Sequence, residues 1–143
     1  FTDVSKESGI AAHTGKGMAV AFADYDGDGW LDVLVTNDTE PNFLFRNEGN
    51  GRFREVGMAA GIGMNDDGKA LSSMGADFRD VDNDGRPDIF ITALANETFP
   101  LYRGLERGLF LDVTYPTRIG AATLALSGWS TGIYDFDRDG RKD

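Results

Sequence analysis

Three short runs of this chain carry four aspartates each at one fixed spacing. They are Asp24-Tyr25-Asp26-Gly27-Asp28-Gly29-Trp30-Leu31-Asp32, Asp80-Val81-Asp82-Asn83-Asp84-Gly85-Arg86-Pro87-Asp88 and Asp135-Phe136-Asp137-Arg138-Asp139-Gly140-Arg141-Lys142-Asp143. Each reads D-x-D-x-D-G-x-x-D. Calcium takes six to eight oxygen ligands at roughly 2.3–2.6 Å. Aspartates at loop positions one, three and five (Asp24, Asp26, Asp28; Asp80, Asp82, Asp84; Asp135, Asp137, Asp139) can wrap carboxylates around one point. Glycine at position six permits the sharp turn. Position seven offers a backbone carbonyl, from Trp30, Arg86 or Arg141, and the position-nine aspartates Asp32, Asp88 and Asp143 are expected to close the shell as bidentate ligands. One Ca²⁺ per loop is the expectation. Four carboxylates converging without a cation would repel one another and resist ionisation. Mg²⁺ fits less well, because it keeps its waters and a rigid octahedral shell.

The loops are not EF-hands. Those need glutamate at position twelve and flanking helices. Position twelve here is Val35 or Ile91, each in a segment that reads as strand. Dockerin-type loops also need a polar ligand there.

Other chemistry is thinly represented. The chain has no cysteine and one histidine, His13, which excludes zinc sites and Cys–His catalysis within this segment. Asp77, Glu97 and Asp112 lie outside the loops and could form a carboxylate pair for glycoside cleavage, but they read as solvated surface acids. Gly15-Lys16-Gly17 lacks the spacing of a phosphate loop. Asn37-Asp38-Thr39 and Asn96-Glu97-Thr98 are glycosylation tripeptides of a kind common by chance. Trp30 is a surface candidate for stacking on sugars, and Trp129 is expected to pack between repeats. No catalytic centre is expected.

The elements that position the loops recur with them. The loops start 56 and 55 residues apart, and a second marker, Phe-x-acid-Val, keeps step at Phe1–Val4, Phe53–Val56 and Phe110–Val113. Within a period the pattern is β. Met18–Ala23, Leu31–Thr36, Asn42–Asn47 and Arg52–Val56 read as four strands, with Glu48-Gly49-Asn50-Gly51 as a hairpin turn. Met74–Arg79, Pro87–Thr92, Phe99–Arg103 and Leu109–Val113 copy that order, and Trp129–Tyr134 starts a third copy. The repeats run over about 14–56, 70–113 and 127–143, the last truncated. Four strands per period suggest an all-β fold of four-stranded antiparallel propeller blades. Ala59–Leu71 and Tyr115–Leu126 read as crossovers between blades, with room for a helical turn.

Composition agrees. The 143 residues include 19 glycines, as many tight turns require. Twelve of the 24 acidic residues lie in the loops, and removing them turns the net charge of −10 into +2. Such a chain repels nucleic acid and anionic membranes. No apolar run approaches the ~20 residues that span a bilayer. The chain opens at Phe1 within one of its own motifs, which reads as a processed or partial chain whose blades are completed by further sequence or by other chains.

The strand–D-x-D-x-D-G-x-x-D–strand unit resembles the FG-GAP/VCBS repeat, also found in integrin α propellers. Phe1-Thr2-Asp3-Val4, Ala23–Asn37, Asn42–Gly51 and Ser127–Gly140 resemble more closely the bacterial proteins similar to cartilage acidic protein, which often end in an ASPIC/UnbV module. The resemblance implies a seven-bladed propeller, calcium in the loops and export to the periplasm, cell surface or medium. No ASPIC/UnbV module is present. The expected function is a non-enzymatic, calcium-stiffened binding, adhesion or scaffold module with a protein or glycan partner. The alternatives are a calcium-containing propeller enzyme such as a polysaccharide lyase, and a structural subunit of a larger complex.

Overall fold

A computed structural model describes residues 1–142. The first period forms β1 (Gly17–Ala23), β2 (Asp32–Asn37), β3 (Phe43–Asn47) and β4 (Phe53–Glu55). The second forms β5 (Ala76–Arg79), β6 (Asp88–Ile91), β7 (Leu101–Gly104) and β8 (Phe110–Asp112). Each set makes one antiparallel meander, in the orders β1-β2-β3-β4 and β5-β6-β7-β8. The fold is all-β, two four-stranded blades side by side and not closed into a ring. Helical turns α1 (Gly57–Ala60) and α2 (Ile119–Thr123) follow the outer strands, and 3₁₀ turns occupy Ile10–Ala12 and Glu106–Gly108.

The two blades share one register. Phe22 faces Val33 as Phe78 faces Ile89. Val33 faces Phe45 as Ile89 faces Tyr102, and Phe45 faces Glu55 as Tyr102 faces Asp112. Because side chains alternate along a strand, one face of each blade carries all these apolar positions. Blade two buries that face against blade one, so Phe78, Ile89, Ile91 and Tyr102 join Leu34 and Leu44 in one core. The corresponding positions on β1, Val20 and Phe22, face away from blade two and stay exposed.

The loops also take part in blade packing. Tyr25, at position two of the first loop, lies 5.8 Å from the Phe110 ring of blade two and is buried. The Thr36 hydroxyl donates to the Met74 carbonyl, and Asp38 forms a β-bridge with Ser72.

The Phe-x-acid-Val marker has a backbone role. Its acid accepts the N–H two residues on, from Ser5 to Asp3, Gly57 to Glu55 and Thr114 to Asp112, and so turns the chain out of each repeat's end.

Two expectations are corrected. Trp129–Tyr134 is not a strand. Inner strands β1 and β5 pair with the strands that follow their loops, and no such partner lies beside this segment among the described residues. It is held instead by Gly128 N–H to Ala93 O, Ile133 N–H to Asp77 Oδ2 and Arg79 Nε–H to Ile133 O. Trp129 does not pack between blades among the described residues, being 69% exposed. Phe1–Val4 lies outside the named strands. No helix among the described residues is long and apolar enough to cross a membrane.

Candidate metal centre

Each aspartate loop is a corner between the two inner strands of its blade, or the matching segment of the third repeat. From position one to position seven the three corners share the same hydrogen bonds. The position-one carboxylate accepts the N–H groups of positions five and six: Asp24 from Asp28 and Gly29, Asp80 from Asp84 and Gly85, Asp135 from Asp139 and Gly140, all at 2.9–3.0 Å. The position-three carboxylates of Asp26, Asp82 and Asp137 accept the position-five N–H at 3.3, 3.2 and 3.1 Å. The position-five carboxylates of Asp28, Asp84 and Asp139 accept the N–H of Trp30, Arg86 and Arg141. The aspartate side chains thus take up the N–H groups of their own loop.

Two left-handed residues make the turn. Position six is glycine each time, with φ of 91°, 87° and 88° at Gly29, Gly85 and Gly140. Position four, which the sequence reading passed over, is also left-handed: Gly27, Asn83 and Arg138, with φ of 75°, 60° and 64°. A Cβ at Gly85 would meet nothing within 4 Å. Gly85→Ala is therefore expected to cost conformational strain alone, about 1–2 kcal/mol, measured by denaturant unfolding.

The position-nine aspartates do more than the sequence suggested. Asp32 and Asp88 are fully buried. Asp32 accepts the N–H of Asn47 at 2.7 Å and of Tyr25 at 3.2 Å. Asp88 accepts those of Gly104 and Val81, both at 2.8 Å. Each ties its loop to the third strand of its own blade. Burial pushes the Asp32 carboxyl up to about 6, against those two hydrogen bonds, and Asp26 and Asp28 push the same way as burial. Burial raises Asp88 likewise. A bound cation would favour the ionised forms.

The carboxylates converge. One oxygen from each of Asp24, Asp26 and Asp32 lies within 4.8 Å of the others, as do those of Asp80, Asp82 and Asp88 and of Asp135, Asp137 and Asp139. Oxygens bound to one Ca²⁺ at about 2.4 Å can be no more than about 4.8 Å apart. The donor set, all hard oxygen, therefore fits a hard divalent cation. Asp28 and Asp84 stand outside their trios. Arg46 Nη2 donates to Asp28 Oδ2 at 3.1 Å, Arg46 Nε lies 2.6 Å from Asp26 Oδ2, and Arg86 Nη2 pairs with Asp84 Oδ2. Asp143 lies outside the described residues.

The remaining candidates separate. Asp112 accepts the N–H of Asp66 and Thr114, Glu97 that of Ser72, and Asp77 that of Ile133, so each acid fastens a different segment. Asn37 is fully buried and donates to Pro41 O, which leaves its tripeptide no room for a glycan. Trp30 is half exposed, and the backbone of Gly49 closes on its indole so tightly that a Cβ there would lie 2.8 Å away.

The model of the FG-GAP-like repeat matches this chain at residues 1–35, 24–91 and 80–143. Cartilage acidic protein 1 of Mus musculus is 32% identical over 87 residues, 61% of this chain and 13% of that protein. The protein of the same name from Homo sapiens is 32% identical over 87 residues, 61% of this chain and 12% of its own length. The Xenopus tropicalis protein is 30% identical over 89 residues, 62% of this chain and 13% of its own length. The chain thus spans about an eighth of the length of the curated relatives it matches.

Proposed function

The chain belongs to the FG-GAP-like repeat family, and we propose on that premise that it is a calcium-stiffened, non-catalytic binding or scaffold module of an exported protein. The observation that carries this reading is the threefold recurrence of one loop, with the same carboxylate-to-amide bonds at each corner. Asp24, Asp26 and Asp32 would hold the first ion, Asp80, Asp82 and Asp88 the second, and Asp135, Asp137 and Asp139 with Asp143 the third. Asp28 and Asp84 would add their carboxylates once freed, and Trp30, Arg86 and Arg141 their backbone carbonyls. Calcium supplies charge neutralisation at corners where strands must meet at a fixed angle. The family implies a closed, seven-bladed propeller around these two blades. A protein or glycan partner would meet the loop edges and the exposed half of Trp30.

Glycan and protein arrays probed with the full-length protein, with calcium and with chelator, test the reading. Calcium-dependent capture without turnover is expected. Turnover of a polysaccharide, abolished by substituting an acid outside the loops, would overturn it.

A further inference from the structure

In each of the first two loops an arginine side chain reaches the position-five aspartate. In the first two loops the position-five carboxylate stands outside the trio, and an arginine holds its outer oxygen. Those arginines come from different places. Arg46 reaches across from β3 in the same blade. Arg86 sits within the loop at position seven and is steadied by Gly104 O, 3.1 Å from its Nε. Two unrelated routes deliver a guanidinium to the same atom.

Arg46 goes further, since its Nε also lies against Asp26, a member of the trio itself. That Nε is buried, yet its N–H is aligned on no acceptor. The contact is therefore an attraction of charges without a well-formed hydrogen bond, which a stronger cation can displace. A divalent ion in the trio and a guanidinium on two of the same carboxylates would also repel each other.

We propose that Arg46 is a built-in competitor for the cation of the first loop, with Arg86 playing the same part in the second: each guanidinium withholds the position-five carboxylate, so that Ca²⁺ enters by exchange against an internal positive charge. The inference rests on the calcium reading above. It makes Arg46 an affinity-setting residue, outside the ligand set, and it explains how an acidic corner stays folded when calcium is scarce.

The test uses Trp30, which lies in the first loop. In a Trp129→Phe background Trp30 is the sole indole, and Tb³⁺ luminescence excited through it reports the first loop, with Ca²⁺ as the displacing ion. Arg46→Gln is expected to tighten Ca²⁺ at that loop by about tenfold or more, the scale on which outer-shell groups move metal affinity. Calorimetry should show the third loop unchanged. Chelated Arg46→Gln should melt earlier than the chelated parent, and the calcium-loaded forms should melt alike. Arg46→Lys, which keeps the charge, should retain the weaker affinity. Arg86→Gln, read by calorimetry, repeats the test at the second loop should Arg46→Gln fail to fold. An affinity unchanged or weakened by Arg46→Gln, with the other loops filling, overturns the role of Arg46 alone. If neither parent nor variant takes up calcium at any loop, the calcium reading fails with it.

Discussion

Asp88→Ala is expected to destabilise the fold by about 2–4 kcal/mol in the complete absence of calcium. The side chain is fully buried, and its two oxygens accept the N–H groups of Gly104 and Val81 at 2.8 Å. Alanine leaves both donors without a partner. An orphaned buried donor costs about 1–3 kcal/mol. Gly104 is buried and takes the full penalty, whereas Val81 is half-buried and recovers part of it from water. Relief of the desolvated carboxylate, whose pKa burial has raised, returns a little. Asp88→Asn keeps one acceptor and should cost less. Denaturant unfolding in chelator measures both. A cost equal to that of Asp82→Ala, whose carboxylate is exposed, would mean that Asp88 acts as a ligand alone.

Calcium is expected to raise the stability of the chain by about 4 kcal/mol at tenfold excess over Kd, from about 1.4 kcal/mol at each of three loops. Affinities should fall near the 10⁻⁴–10⁻³ M of extracellular calcium modules. The ion adds to the folded state by mass action, because the unfolded chain has no formed site. The melting temperature should rise by roughly 10 °C. Asp82→Ala should remove a third of that rise and leave the rest, since the loops sit on separate blades and share no carboxylate. A melting temperature indifferent to chelator would count against calcium in all three.

The loops and most strands were legible because their signals are local. Aspartate at alternate positions and glycine at six dictate the corner within nine residues, and the β-branched runs beside it pair at once. The strand expected at Trp129–Tyr134 did not form, because a strand is defined by its neighbour, and this segment is held instead by Ala93, Asp77 and Arg79. Position four was readable in hindsight. Gly27 and Asn83 are both types that tolerate the left-handed region, whereas Arg138 conceals the rule. The acid of Phe-x-acid-Val was seen as a marker, and its grip on the N–H two residues on explains why it recurs. The buried tie made by Asp32 and Asp88 was hidden, since the sequence shows a carboxylate and not the strand that reaches it. Arg46 was hidden most fully, for its contact with Asp28 spans 18 residues across a sheet.

Calorimetric titration of Ca²⁺ into the full-length protein, compared with the same protein carrying Asp24→Ala, Asp80→Ala and Asp135→Ala together, tests the calcium loops most directly. The parent should bind three more ions than the triple variant, and each single substitution should remove one. Equal uptake by the two proteins would contradict calcium binding at these corners.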